Sequence, residues 1–180
     1  MLLSTEQINS SGIWSLGISS QLGPFTLWAS AIGLVRLDLA QEDVHAKPPD
    51  DVRQLLDDGE VQLNEYLQGR RRTLTLTLDW TGATEFSKRV WQAARQIPFG
   101  QVISYSTLAK EIGSPKAQRA VGHALGSNPL PIFVPCHRVL RSDGGLGGFG
   151  LGLDMKRSLL ALEGYAGQTN HTSNKGDDEL

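Results

Sequence analysis

The feature that most constrains this 180-residue chain is a very short break between two helical patterns. Apolar residues recur at helical spacing over 105–112, where Ser104 can cap the first turn and Gly113 can end the helix. Pro115 then restarts a helix, because proline is tolerated in a first turn, where its missing N–H needs no partner. Two helices joined by so short a turn predict a helix-turn-helix.

The helix that starts at Pro115 has one apolar and one polar face when residues are placed about 100° apart. The apolar face holds Ala117, Ala120, Val121, Ala124 and Leu125, and the polar face holds Lys116, Gln118, Arg119, Gly122 and His123. The polar face carries two permanent cations and no acid. This pattern is compatible with DNA binding and also with an ordinary solvated surface.

The part of the chain before this region alternates short apolar runs with turn residues. Apolar patterning predicts strands at 25–29, 33–39 and 74–78, and helical spacing at 51–56 and again at 61–67, where Gly69 ends it. A further helix is predicted after Thr84, which can act as its N-cap. The chain is therefore expected to hold an α/β or α+β module of about 80 residues, followed by a mainly helical region.

Charge is distributed unevenly between these two parts. The formal net charge is −2, but residues 85–157 contain ten Lys or Arg and four Asp or Glu, which gives +6 there and −8 in the remainder. A basic region attached to acidic surroundings is typical of a surface that meets phosphates.

The chain has one cysteine, Cys136, which excludes an internal disulfide and a cysteine-based zinc cluster and favours a reducing, cytosolic compartment. Cys136 follows an apolar run at 132–134 that predicts a strand. A lone cysteine is most often an inert core residue, but His137 and Arg138 could supply a base and positive potential to a nucleophilic thiol. Glu163, at the end of a predicted helix, is the candidate carboxylate of such a relay. Since neighbours in a strand face opposite sides, Cys136 and His137 would need a turn or a bridging water.

Several segments resemble the O6-alkylguanine-DNA alkyltransferase family. They are 97–105 (IPFGQVISY), 115–122 (PKAQRAVG), 128–131 (NPLP), 135–139 (PCHRV), 147–150 (GGFG) and 159–164 (LLALEG). The resemblance is continuous over about residues 84–164 and looser from 23 to 82.

The resemblance implies an α+β protein of two domains. Residues 1–83 would form a small N-terminal α/β domain with a ribonuclease-H-like sheet and helices. Residues 84–165 would form a mainly helical, winged helix-turn-helix domain that binds DNA and carries the cysteine. Residues 166–180 are polar and acidic and are predicted to be a disordered tail.

The resemblance also implies a role for each matched residue. Cys136 would accept the alkyl group, activated through a water held by His137, which Glu163 would orient. Tyr105 would lie against the phosphate 3′ to the lesion and donate a proton or hydrogen bond to the guanine. Arg119 would fill the gap that the extruded base leaves in the stack.

The remaining matched positions would contact DNA or support the base pocket. The helix face that meets DNA would include Lys116, Gln118, Ala120, Gly122 and His123. The base pocket and its support would be formed by Asn128, Pro131, Val139, Phe149 and Gly150, with Asn128 bracing the turn behind the cysteine. Many relatives carry small residues in place of Gln118 and His123, and a Tyr is frequent in place of Phe149.

The implied function is direct repair of DNA by a single, irreversible transfer of an alkyl group from O6-alkylguanine, and also from O4-alkylthymine, to the protein. The implied partner is double-stranded DNA bound through its minor groove. We expect a monomer with no cofactor, no metal and no membrane contact, located in the cytoplasm and on the nucleoid in a prokaryote. Two other hypotheses are a non-catalytic protein that flips alkylated bases and a Cys-His hydrolase.

Overall fold

The computed structural model describes residues 12–40 and 47–165. The predicted acidic tail at 166–180 lies outside the described residues. None of the helices in the described ranges is both long enough and apolar enough to cross a lipid bilayer.

The N-terminal half is built on a three-stranded antiparallel sheet. Its strands are β1 (Ile13–Ser20), β2 (Gly23–Ser30) and β3 (Leu34–Asp38), in the order β1-β2-β3. The predicted strands at 25–29 and 33–39 are confirmed. The central strand is buried along most of its length, because β1 and β3 cover its edges and a helix covers one face.

Among the described residues, one helix, α1 (Asp50–Leu67), packs on this sheet and joins the two stretches of helical spacing predicted from the sequence. Gly59 lies inside the helix without ending it. The glycine has a packing reason: a Cβ at this position would collide with the side chain of Leu27 on β2. The helix ends before Gly69, whose φ of 72° is favourable for glycine.

The predicted strand at 74–78 is wrong as a strand, although its alternating burial is present. Only Leu78 makes a bridge, with Leu34 of β3. The Thr77 carbonyl accepts from the Leu34 amide at 3.0 Å. Side chains bond three further backbone groups: Arg95 donates to the carbonyls of Leu74 and Leu76 at 3.5 and 3.4 Å, and the Thr75 amide donates to Gln62 at 3.0 Å. The segment is therefore held extended by side-chain bonds rather than by a ladder.

The C-terminal half begins with two helices that start at the predicted caps. These are α2 (Glu85–Arg95) and α3 (Tyr105–Glu111). The Thr84 hydroxyl accepts from the Ser87 amide at 3.1 Å, and the Ser104 hydroxyl accepts from the Thr107 amide at 3.0 Å. Each cap satisfies an amide that has no partner within its helix.

The helix-turn-helix is completed by α4 (Gln118–Gly126), which starts three residues later than predicted. Pro115 lies in the turn and is not the first helical residue, because the Ala117 amide closes a turn on the Ser114 carbonyl at 2.9 Å. Ala120 is exposed on α4, so its assignment to the apolar face was wrong. Val121, Ala124 and Leu125 are buried as predicted.

The segment before the cysteine is a tight turn, not the predicted strand at 132–134. Ile132 has φ 75°, an uncommon conformation for a β-branched residue. A short 3-10 helix, Cys136–Arg138, follows directly. Next comes β5 (Val139–Leu140), which pairs in parallel with β4 (Ile103–Ser104), and α5 (Leu153–Leu162) closes the fold. The expected α+β architecture, a sheet domain followed by a mainly helical one, is confirmed.

Candidate active site

The single cysteine lies at the wall of a cavity of about 500 Å³ beside the helix-turn-helix. Only 5% of Cys136 is exposed. Asn128 Nδ2 donates to its Sγ at 3.2 Å and to the Val134 carbonyl at 3.2 Å, so one amide group contacts both the thiol and the turn that carries it. The other lining residues are Tyr105, Gln118, Arg119, Gly122, Leu125, Gly126, Arg141, Gly147, Gly148, Phe149 and Gly150.

The thiol is not activated at rest by its basic surroundings. Burial raises the pKa of Cys136 above its ordinary value, and this effect outweighs the hydrogen bond from Asn128 and the positive charge of Lys156. The expected lowering of the thiol pKa is therefore absent. A base has to remove the proton during the reaction.

The neighbouring His137 faces the opposite side of the 3-10 turn and is fully buried. Its Nε2 lies 2.9 Å from Glu163 Oε1 and 3.2 Å from Tyr66 Oη. Burial lowers the pKa of His137, although Glu163 acts in the opposite direction. Because a carboxylate only accepts, Nε2 carries the proton of the neutral ring. The other nitrogen, Nδ1, is buried and has no hydrogen-bond partner among the described residues, so its lone pair is free to accept a proton.

Glu163 follows α5 and accepts hydrogen bonds from four residues in three parts of the fold. Besides His137, they are the Gly100 amide at 3.0 Å, Tyr66 Oη at 2.5 Å and the Arg138 guanidinium at 2.8–3.1 Å. Burial alone would raise the pKa of Glu163, but the hydrogen bonds from His137, Arg138 and Tyr66, and the charge that His137 carries when protonated, lower it to about 2. The carboxylate is therefore ionised throughout the working pH range.

Arg138 and Tyr66 are parts of this cluster that the sequence interpretation did not assign. Arg138 was expected to supply positive potential to the thiol, but its guanidinium binds Glu163 and the Ile97 carbonyl, the latter at 2.6 Å. Tyr66 lies on α1 in the N-terminal half, 71 residues before His137. In the sequence, Tyr66 has the spacing of a core residue, and no local pattern marks it as a partner of the histidine.

Lys156 was also missed, since it entered the sequence interpretation only as one of ten positive charges. Its side chain is fully buried on α5, and Nζ donates to the carbonyls of Val139 at 2.8 Å, Leu146, and Gly148 at 3.4 Å. Burial lowers the pKa of Lys156 to about 8. The lysine thus ties the glycine-rich wall of the cavity to β5.

Two aromatic side chains form the sides of the cavity. Tyr105 is half-buried at the start of α3, and burial, together with the neighbouring Cys136, raises the pKa of its hydroxyl, so the hydroxyl is protonated near neutral pH. Phe149 packs edge-on against the His137 ring, with centroids 6.1 Å apart. Gly147 contacts Tyr105 so closely that a Cβ would lie 2.6 Å from its hydroxyl oxygen.

The residues predicted to face DNA are mostly exposed, and three of them line the cavity. Lys116, Gln118, Arg119, Ala120 and His123 are exposed and Gly122 is half-buried. Gln118, Arg119 and Gly122 also line the cavity. Pro131 and Val139 are buried and do not contribute to the wall, whereas Gly150 does.

Within the described ranges, no group of three or more His, Cys, Asp or Glu side chains could hold a metal ion. A helix-turn-helix lies beside a buried cysteine, and behind that cysteine a histidine is hydrogen-bonded to a glutamate. These features define the class of the protein: a helix-turn-helix protein with a Cys-His-Glu site.

Comparison with known proteins assigns the chain within that class. Residues 85–165 match the family model for the DNA-binding domain of 6-O-methylguanine DNA methyltransferase, and residues 16–80 match the model for its ribonuclease-like domain. The chain belongs to the methylated-DNA–protein-cysteine methyltransferase family, which confirms the family resemblance.

Individual relatives agree with this assignment. A methylated-DNA–protein-cysteine methyltransferase of Methanosarcina acetivorans is 39% identical over 148 residues, which cover 81% of this chain and 94% of the relative. One from Mycobacterium tuberculosis is 40% identical, covering 81% and 89%. The crystal structure of Mycobacterium tuberculosis OGT in complex with DNA has a TM-score of 0.72 at 40% identity and covers 82% of this chain and 90% of that one.

Proposed function

We propose that this protein repairs DNA directly by moving the alkyl group of O6-alkylguanine to Cys136, once per molecule. The observation that carries the proposal is the position of Cys136, which borders a cavity at the helix-turn-helix while His137 and Glu163 are hydrogen-bonded on the other side of the same turn. Family membership supports the reaction class, since the relatives are named for transfer from methylated DNA to a protein cysteine.

The chemistry follows from the protonation states of these groups. The Cys136 thiol gives its proton, through one water, to the free Nδ1 of His137, and Glu163 stabilises the imidazolium that forms. The thiolate sulfur bonds to the alkyl carbon while the carbon–O6 bond breaks. The electron pair of the broken bond stays on the guanine oxygen. Tyr105, protonated at neutral pH, donates to the departing guanine.

The product is a thioether, which water does not hydrolyse readily. The chain has no second cysteine that could release the alkyl group by exchange. Each molecule therefore reacts once, and the protein is consumed in stoichiometric amounts.

DNA recognition is assigned to the exposed surface of α4. A base inside a duplex cannot reach Cys136, so the damaged nucleotide must be extruded at a cost of a few kcal/mol. Arg119, which is exposed and lines the cavity, enters the gap in the stack, and the exposed Lys116 and His123 contact the backbone. The small residues Ala120 and Gly122 allow the helix to approach a minor groove closely.

The flipped base occupies the cavity between Tyr105 and Phe149, with Gly150 in its wall. Asn128 keeps the thiol and the preceding turn in register. We extend the proposal to O4-alkylthymine, which presents the same alkyl–oxygen bond on a smaller ring. The cytoplasmic location, nucleoid association in a prokaryote and monomeric state stay predictions from the sequence.

The test is intact-mass analysis after incubation with a duplex that contains one O6-methylguanine. We expect one methyl group on Cys136, saturating at one per protein, and no change with the matched undamaged duplex or with Cys136→Ala. Duplexes with O4-methylthymine form a second arm. Tight binding of damaged DNA without a mass change would replace the proposal by a binding module, and repeated turnover of an ester without labelling would replace it by a hydrolase.

A further inference from the structure

Tyr66 has a buried hydroxyl in direct contact with His137 and Glu163. The proposed mechanism does not use this hydroxyl. Its oxygen lies 2.5 Å from Glu163 Oε1 and 3.2 Å from His137 Nε2, and only 1% of the residue is exposed. A tyrosine has one proton to donate, and a carboxylate only accepts, so the hydroxyl donates to Glu163. The tyrosine comes from α1, whereas its two partners belong to the C-terminal half.

We propose that Tyr66 is a positioning residue of the alkyl-transfer relay: its hydroxyl holds Glu163 so that His137 stays neutral, with Nδ1 free to take the thiol proton. This inference rests on the proposed function, because it concerns the base of that reaction. It also gives the N-terminal half a part in the chemistry, through one hydrogen bond.

The charge balance around His137 explains why an additional donor matters. The charged and polar groups that act on the His137 ring are the carboxylate of Glu163, the cations of Arg138 and Lys156, and the hydroxyl of Tyr66. Only Glu163 favours the imidazolium. Donors bound to this carboxylate reduce its pull on the Nε2 proton, so a neutral ring remains favourable in the resting protein.

The Tyr66 hydroxyl can act as a donor at every working pH. Burial and the adjacent Glu163 raise the pKa of Tyr66 far above its ordinary value. The hydroxyl also approaches Nε2, but at 3.2 Å this contact is longer than the 2.9 Å bond between Nε2 and Glu163. Donation to the carboxylate is therefore its main effect.

Loss of the hydroxyl gives a prediction with a definite sign. Without this donor, Glu163 attracts the proton on Nε2 more strongly, and the imidazolium of His137 forms at higher pH. A protonated Nδ1 cannot accept the thiol proton, so the transfer rate falls on the acid side of its pH profile. This acid limb moves to higher pH when the hydroxyl is lost. The ring of Tyr66, which packs edge-on against Phe99 at 6.0 Å between centroids, is kept in Tyr66→Phe.

The first measurement is the rate of transfer from free O6-methylguanine base to full-length Tyr66→Phe across about pH 5 to 8. The free base removes any effect on DNA binding. We expect a rate at least about threefold below wild type near pH 6 and within about twofold near pH 8. Tyr165→Phe is the matched control, because its hydroxyl makes no hydrogen bond in the described part of the chain and its profile should match wild type.

The position of the acid limb decides the outcome. An unchanged limb, with or without a uniform loss of rate, would reduce Tyr66 to a purely structural role and overturn the inference. A limb that moves to lower pH would overturn it as well, since the hydroxyl would then act mainly as an acceptor from Nε2.

A second measurement keeps the inference separate from the proposed function and from any folding defect. Side-chain ¹⁵N NMR of His137 in the wild-type protein should show the neutral ring with its proton on Nε2. In Tyr66→Phe the imidazolium should form at higher pH. A wild-type proton on Nδ1, or identical titrations in both proteins, would contradict the inference even if transfer to Cys136 is observed. A wild type that labels no cysteine would instead remove the proposed function.

Discussion

The two sides of the 3-10 turn at Cys136–Arg138 are built in opposite ways. Behind the turn lies the relay cluster, which consists of Tyr66, His137, Arg138 and Glu163. The cluster is buried, and its carboxylate accepts bonds from every other member. In front lies the cavity, whose lining residues are exposed or half-buried except for Leu125 and Cys136. No carboxylate is among these lining residues.

This difference separates two requirements of a single-use reagent. A proton path needs fixed distances, which dense hydrogen bonding from three parts of the fold provides. A site that admits an extruded base needs an open cavity, which the base fills when it binds. Substitutions on the two sides should therefore fail differently, with loss of stability and base strength behind the turn and loss of fit in front.

The largest effect is expected for Glu163→Gln, which keeps the shape of the side chain and removes its charge. Arg138 is then left buried without a carboxylate. Breaking a buried ion pair costs about 3–5 kcal/mol, and loss of general-base support lowers the transfer rate at least about 100-fold. Urea unfolding and single-turnover kinetics measure the two losses.

The control for this change is Asp154→Asn, which removes a fully exposed carboxylate from an ion pair with Arg157 on α5. Its unfolding curve and transfer rate should match wild type. If both variants lost stability and transfer rate equally, the charge of Glu163 would matter no more than that of an exposed carboxylate.

Acid should weaken the relay side in two steps. His137 has a lowered pKa, so its contribution to stability is complete above pH 6.5 and begins to fall below it, as the unfolded chain takes up a proton first. The pKa of Glu163 is about 2, against an ordinary value of 4.5. Its ionised carboxylate therefore contributes about 3 kcal/mol to the free energy of unfolding, and this contribution is lost as the pH falls from 4.5 to 2. Urea unfolding across this range measures both, and the second step should be missing in Glu163→Gln.

A smaller effect is expected for Gly147→Ala on the cavity side. The new Cβ would lie 2.6 Å from the Tyr105 hydroxyl oxygen, on a backbone with φ 66° that glycine tolerates best. We expect about 1–2 kcal/mol of lost stability and at least about tenfold slower transfer, with the acid limb unchanged. Gly148→Ala is the matched control, since nothing lies within 4 Å of its Cβ position. A normal rate for Gly147→Ala would show that the cavity wall shifts to accept the added Cβ without loss of function.

The smallest effect on the fold, but a selective one on function, is expected for Arg119→Ala. Transfer from duplex DNA should slow about tenfold, because the extruded base loses the side chain that fills its place in the stack. Transfer from the free base should stay within about twofold. Arg157→Ala controls for the loss of an exposed cation outside the cavity. Equal losses with duplex and free base would contradict the assignment of Arg119.

The parts of the fold that the sequence predicted correctly are those specified locally. Thr84 and Ser104 stand three residues before the amides they cap, so sequence spacing alone identified both helix starts. The run Pro135–Val139 likewise placed Cys136 beside His137. Glu163 was chosen as a carboxylate at a helix end, and the structure brings it within 2.9 Å of the histidine.

The missed features depend on contacts between distant segments. The segment at 74–78 alternates like a strand, but the Arg95 side chain takes two of its carbonyls. Ile132 belongs to a residue type that favours strands, yet surrounding turn contacts hold it at positive φ. Tyr66 and Lys156 have the spacing of helix residues, and only the folded structure shows that one meets a glutamate and the other three carbonyls.

Lys156 also sets a limit on the cavity at alkaline pH. Its ammonium group has three protons for three backbone carbonyls, much as a bound metal ion would be coordinated by a ring of oxygens. With a pKa of about 8, this internal cation loses a proton just above neutrality, and one carbonyl is then left without its donor. We expect the backbone around residues 146–148 to exchange its amide hydrogens faster above that pH, so that the cavity wall loosens under base while the relay cluster weakens under acid.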